Sequence, residues 1–177
     1  MNSFAKASIL TLAVGGVFAA AATQAAVTAH GLRANAPARC QAFTPGPSNT
    51  IRNRVVGSEN IGAPIAVACA FEKPTGSSAT LVTSVTIFFS TNDGTPKTIN
   101  CTMLTGYQGQ GGAIAINKSV TATTATAANG ITWSGADRVP AAPDLGNHFV
   151  GVNCTLPTSA VMNDTYVNWN QEDGVGA

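Results

Sequence analysis

Downstream of residue 40 the chain keeps a two-residue rhythm. In Ile65-Ala-Val-Ala-Cys-Ala-Phe71 the odd positions carry Ile65, Val67, Cys69 and Phe71, and the even positions carry only alanine. Segment 81–89 sets Leu81, Val85, Ile87 and Phe89 on one stripe, with Ser84 and Thr86 opposite. Segment 98–104 turns Ile99, Cys101 and Met103 one way and Asn100 and Thr102 the other. Segment 148–156 does the same with Val150, Val152, Cys154 and Leu156. Such alternation predicts strands buried on one face, as in antiparallel sheets. Further strands are expected over 51–56, 113–122, 131–134 and 164–169.

No helical rhythm competes with this pattern after the first 25 residues. Pro and Gly interrupt the chain at short intervals, and Thr is common where a helix would prefer Leu, Glu or Lys. About eight short strands at this spacing predict an all-β fold. The expected fold is an antiparallel β-sandwich, with jelly-roll or immunoglobulin-like topology, although alternation alone does not separate a sandwich from a closed barrel. Asn92-Asp-Gly94, lying between two alternating segments, predicts the turn of a β-hairpin. An EF-hand reading of that corner lacks the succession of acidic ligands and the closing Glu.

The start of the chain follows different rules. Met1 to Ser8 is polar with one charge, Lys6, and is followed by an apolar run, Ile9 to Ala22, and by small residues at Thr23-Gln-Ala25. This is the layout of a secretory signal peptide over residues 1–25, with Val27-Thr-Ala29 as a second cleavage position. Residues 26–39 have no sustained period and are expected to form a flexible N-terminal arm. Residues 40–177 then form a single β-sandwich domain. The destination is the periplasm or the exterior, with no transmembrane segment in the mature chain.

Charge narrows the partners. Nine basic residues face eight acidic ones, and loss of Lys6 with the signal leaves the two in balance. A neutral chain without basic clusters lacks the electrostatic footprint for nucleic acid or anionic lipid.

Four cysteines in an exported chain predict two disulfides. No Cys-x-x-Cys occurs and neither histidine is near a cysteine, so zinc and thioredoxin-like readings lack their spacing. Of the three pairings, Cys40–Cys69 with Cys101–Cys154 is favoured. Ile99-Asn-Cys-Thr-Met103 and Val152-Asn-Cys-Thr-Leu156 share one pattern and suit neighbouring positions, and Cys40 would tie the arm to the body.

Candidate chemistry is sparse. No Gly-x-Ser-x-Gly or His-Glu-x-x-His occurs, and Asp144 and His148 flank a Gly-containing loop with no fixed geometry. No metal or cofactor is expected. The large aromatics Tyr107, Trp133 and Trp169 are the candidate ligand-binding residues; Tyr166, three residues before Trp169, would point to the opposite face of a regular strand. Four Asn-x-Ser/Thr triplets, at Asn100, Asn117, Asn153 and Asn163, mark exposed positions.

Ile51-Arg-Asn-Arg, Ala63-Pro-Ile-Ala-Val-Ala-Cys-Ala-Phe71, Gly151-Val-Asn-Cys-Thr-Leu-Pro157 and Asp164-Thr-Tyr-Val-Asn-Trp169 resemble segments of a loose group of small secreted bacterial proteins. The resemblance spans residues 40–170 and implies an exported β-sandwich. That group has no settled activity and no catalytic residues to transfer. The expected role is therefore non-enzymatic: binding a glycan or protein partner, or assembling through a sheet edge, at or outside the cell surface. A carbohydrate-binding module and a small extracellular hydrolase are the alternatives.

Overall fold

A computed structural model describes residues 26–43, 50–72, 81–105, 113–124, 129–146 and 149–173. Residues 1–25, expected to form a signal peptide, and Tyr107 and His148 lie outside the described residues. The described residues form eleven strands: β1 Ala26–Asn35, β2 Cys40–Ala42, β3 Ile51–Arg54, β4 Gly57–Asn60, β5 Ile65–Glu72, β6 Val82–Thr91, β7 Lys97–Thr105, β8 Ile114–Ala122, β9 Gly130–Ser134, β10 Phe149–Leu156 and β11 Ala160–Asp173. One sheet runs β3-β4-β11-β6-β9, with β1 also paired to β11, and the other runs β2-β5-β10-β7-β8. Every pairing is antiparallel.

The strand order is that of a rolled hairpin. β7 pairs with β8, β6 with β9, β5 with β10 and β4 with β11, and successive pairs fall in alternate sheets. This is a jelly roll, so the immunoglobulin-like alternative does not apply. The inner faces meet in one core containing Val67, Phe71, Ile87, Phe89, Ile99, Met103, Trp133, Leu156 and Val167. Across it, a sulfur of the Cys40–Cys69 bridge touches the Met162 sulfur at 3.5 Å.

Two irregularities decide which side chains enter that core. Opposite β11, β6 carries one extra residue between Ser84 and Val82, and β11 carries one extra between Met162 and Thr165. Each bulge changes the inside–outside parity of its strand. Val82 is consequently buried in place of Leu81, and β11 buries Ala160 and Met162 before the bulge and Thr165 and Val167 after it.

Three expectations require correction. Residues 26–35 are a strand rather than a flexible arm: β1 pairs with β11 over its whole length, from Ala26↔Asp173 to Asn35↔Asp164. Its alternation is weak because an edge strand buries little on either face, and Val27 and Leu32 stay exposed. The expected strand 51–56 ends at Arg54. Val55 and Val56 form an exposed hairpin tip, and polar β4 returns, held by Asn60 Nδ2 donating to Ala63 O and Leu156 O, each at 2.9 Å. Finally, Asn92-Asp-Gly94 is not a hairpin turn, because β6 and β7 lie in different sheets and the loop crosses between them. The Asn92 N–H donates to Ser159 O at 3.0 Å, and Asp93 accepts from the Thr95 N–H at 3.0 Å. The polar corner thus closes one end of the sandwich.

Both disulfides join directly opposed residues within the five-stranded sheet, Cys40 to Cys69 on β2 and β5 and Cys101 to Cys154 on β7 and β10. They are buried and face the core. Their sequence separations are 29 and 53 residues. Loop closure then predicts losses of about 3.5 kcal/mol for the Cys40→Ser/Cys69→Ser pair and about 4 kcal/mol for Cys101→Ser/Cys154→Ser. Urea unfolding monitored by Trp fluorescence checks the size and the order of the two effects.

Candidate functional site

Trp133 cannot be a ligand platform. Its side chain is fully buried on β9, and its Nε1–H donates to Ile116 O at 3.1 Å, linking the two sheets. This corrects the expectation that it serves binding: a large ring on the inward parity of a strand fills the core, and its one polar atom finds a partner there. Trp169 is half-buried, stacked on His30 with ring centroids 5.8 Å apart and planes at 14°. Tyr166 lies on the opposite face of β11, over Gly31.

Five of the carboxylates are committed to structure, while exposed Glu72 ends β5 on the outer face of the five-stranded sheet, opposite Phe149. Asp144 accepts from the Gly146 N–H at 2.7 Å and faces Arg138 at 3.7 Å. Glu59, buried, receives Asn92 Nδ2 at 2.7 Å and pairs with Arg54, and Asp164 pairs with Arg33. Asp93 is held below the usual carboxylate range by the Thr95 N–H and by Lys97 at 3.1 Å. Burial opposes the charge on Asp137, yet Lys118 at 2.6 Å and the Ser134 N–H at 2.8 Å outweigh it, so its carboxyl is also lowered. Among the described residues no three His, Cys, Asp or Glu side chains gather as a metal site.

A different surface has the organisation of a site. On the outer face of the five-stranded sheet the registers align Gln41, Ala68, Asn153, Thr102 and Asn117 in one row across five strands. The next row reads Ala66, Thr155, Asn100 and Ser119, and the row on the other side reads Ala70, Gly151, Leu104 and Ala115. Strand spacing and pleat set neighbours about 4.8 Å apart across the sheet and about 6.7 Å along it. Because β7 runs antiparallel to β8 and β10, their three Asn-x-Thr/Ser triplets interleave. Carboxamide alternates with hydroxyl in both directions, giving a checkerboard of Asn153, Thr102, Asn117 over Thr155, Asn100, Ser119. Thr102 Oγ1 donates to Asn117 Oδ1 at 2.6 Å within it.

Beside this grid runs a trough of about 350 Å³, floored by Ala68, Ala70 and Gly151 and flanked by Phe43 and Phe149. These two rings are 68% and 39% exposed, against none for Trp133, so the stacking surfaces are phenylalanines. Gln41 and Asn153 reach the trough, and Arg39 stands at its rim. Burial lowers the Arg39 guanidinium from its ordinary value, partly offset by Glu72. The lining of trough and grid holds no carboxylate. Such a surface can stack on a flat apolar ligand face and offer paired donors and acceptors to neutral polar groups.

Sequence reasoning missed Phe43 and Phe149, although a signal was present. With Val150 and Val152 inward, Phe149 must point out, and the repeated triplets carry Asn and Thr two residues apart on one face. A second concavity, of about 640 Å³, lies on the other sheet among Val55, Val56, Phe88, Val161 and the Arg33–Asp164 pair. No protein-family description, curated protein or solved structure matches this chain.

Trp133→Ala is expected to cost about 3–5 kcal/mol, the loss typical of a large buried aromatic, measured by chemical unfolding. The depressed carboxyl of Asp137 contributes stability that is complete above the unfolded-state value of about 3.9 and disappears as pH falls through the folded value. Asp137→Asn should therefore lower stability at neutral pH and flatten the acid limb of the stability–pH curve, leaving the two proteins alike at the acid extreme.

Proposed function

We propose that this chain is an exported, non-enzymatic β-sandwich protein that acts at or outside the cell surface by binding a neutral glycan on the outer face of its five-stranded sheet. The observation that carries this reading is the carboxamide–hydroxyl checkerboard beside the Phe43–Phe149 trough. A pyranose ring has an apolar face of C–H groups that suits an aromatic ring, and a rim of hydroxyls that both donate and accept. Asn, Gln, Thr and Ser match that rim without the desolvation cost of a buried charge. The flat, open face suits an extended polymer, with successive sugars meeting the trough and then the grid.

Binding is favoured over hydrolysis by the placement of the acids. Glycosidases need two carboxyl groups facing each other across the bound sugar, whereas among the described strand residues of this sheet Glu72, opposite Phe149, is the one carboxylate, and Glu59, Asp93, Asp137, Asp144 and Asp164 are engaged elsewhere in ion pairs and backbone bonds. Export accords with the two disulfides, which form in oxidising compartments, and with the absence, among the described residues, of a helix long and apolar enough to cross a membrane.

A glycan array probed with the oxidised protein is expected to show neutral polysaccharides bound in a manner insensitive to added salt. Phe149→Ala should weaken that binding about tenfold while costing only about 1–2 kcal/mol of unfolding free energy, in line with a ring that is partly exposed. Binding restricted to charged glycans, or unaffected by Phe149→Ala and Asn153→Ala together, would contradict the assignment.

A further inference from the structure

The strand β1 is attached to the fold differently from every other long strand. Among the described residues it pairs only with β11, and it contributes nothing to the core cluster. The eight-strand roll from β4 to β11 is complete without it. Immediately after β1 the chain is pinned independently: Ala36 is fully buried, Ala70 N–H donates to Arg39 O at 3.1 Å, and Cys40 is bonded to Cys69. Release of β1 therefore leaves the core intact and opens the edge of β11 from Asp164 to Asp173.

The contacts that hold β1 are those of a keyed docking strand. Gly31 leaves room for the Tyr166 ring, which a side chain at position 31 would strike. His30 stacks on Trp169, and the Arg33 guanidinium pairs with Asp164 while lying 5.9 Å from the centre of the Phe88 ring. Thr165 Oγ1 donates to Ala34 O at 3.1 Å, and Asn35 Nδ2 to Val55 O at 2.6 Å. All of these, with the ten-residue ladder, join segments distant in sequence, so a β1 from another molecule satisfies them equally well.

We propose that β1 is an exchangeable strand through which copies of this chain join, the β1 of one molecule pairing with β11 of another. The partner is a second copy, and the recognition elements are Gly31 against Tyr166 and Arg33 against Asp164. Since the intermolecular and intramolecular contacts are the same, the balance is set by concentration, with the tethered β1 acting at an effective concentration in the millimolar range. Crowding on a surface then favours linked copies, and sheet-edge pairing supplies the joint. The glycan face lies on the other sheet and plays no part in this joint.

Two full-length variants and one peptide test it. Gly31→Val sets a branched side chain against the Tyr166 ring and the Asn168 amide, which weakens the seating of its own β1 and exposes β11 more often; Asp164→Arg repels Arg33 and spoils its own acceptor while retaining a native β1. Each alone is expected to elute as a monomer, and an equimolar mixture at twice the monomer mass. A fluorescent peptide with the sequence of Ala26–Asn35 should bind Gly31→Val at least about tenfold more tightly than the wild-type chain, whose own β1 competes, and a scrambled peptide should bind neither. Absence of the mixed dimer with intact disulfides, or equal peptide affinity for the two chains, overturns the proposal. Should Gly31→Val not fold, failure of the wild-type chain to prefer the native over the scrambled peptide does so.

Discussion

The outer face of the five-stranded sheet depends on the register of β10 between β5 and β7. Shifting β10 by one residue would keep most ladder hydrogen bonds, so the backbone alone does not forbid it. It would, however, turn Val150, Val152, Cys154 and Leu156 outward, each losing roughly 1.5–3 kcal/mol of burial. It would also separate Cys154 from Cys101, which stand directly opposite each other and are bonded. Side-chain parity and the covalent bridge thus select the same register. That register in turn interleaves the Asn-x-Thr triplets of β7 and β10 into a checkerboard.

The other sheet is organised around β11, which pairs with β6 along one edge and with β4 and then β1 along the other. Its bulge near Asn163 allows Met162 and Thr165 both to face the core although three residues apart. The same bulge lies where β4 stops and β1 begins, so one irregularity adjusts the core packing and divides the edge between a short polar strand and a long exposed one. Gly57, at φ +138°, lies against the backbone of Met162 where a Cβ has no room, which lets β4 approach this point.

Charge is kept to the margins of the molecule. Lys118 sits on the inward parity of β8 but extends to Asp137 and to Thr132 O at 2.6 Å, tying the two sheets at their edge. Arg138 with Asp144 and Arg33 with Asp164 brace loops and the β1 edge. The broad face between them carries carboxamides, hydroxyls, alanines and the Phe43 and Phe149 rings, with Glu72 and Arg39 at its border. The proposed ligand recognition there would rest on shape and neutral hydrogen bonds, whereas the proposed β1 joint would rest on a notch and an ion pair.

Alternation in 65–71, 98–104 and 148–156 was sufficient to orient Cys69, Cys101 and Cys154 inward and Asn100, Thr102 and Asn153 outward, because side-chain direction along a strand is a local property with period two. What alternation could not disclose was which strand meets which. The segments around Asn92-Asp-Gly94 read equally as a hairpin or as a crossover, and only the packing of the two sheets chose the crossover. Trp133 was legible as a large aromatic on a strand, but its burial depended on β8 passing close enough for Ile116 O to receive its N–H. β1 carried almost no signal, since its place is set by the vacant edge of β11, far along the chain. The checkerboard likewise existed in the sequence as three separate triplets. It became a surface only when antiparallel pairing aligned them, because neighbour relations across a sheet are fixed by long-range register and not by any one strand.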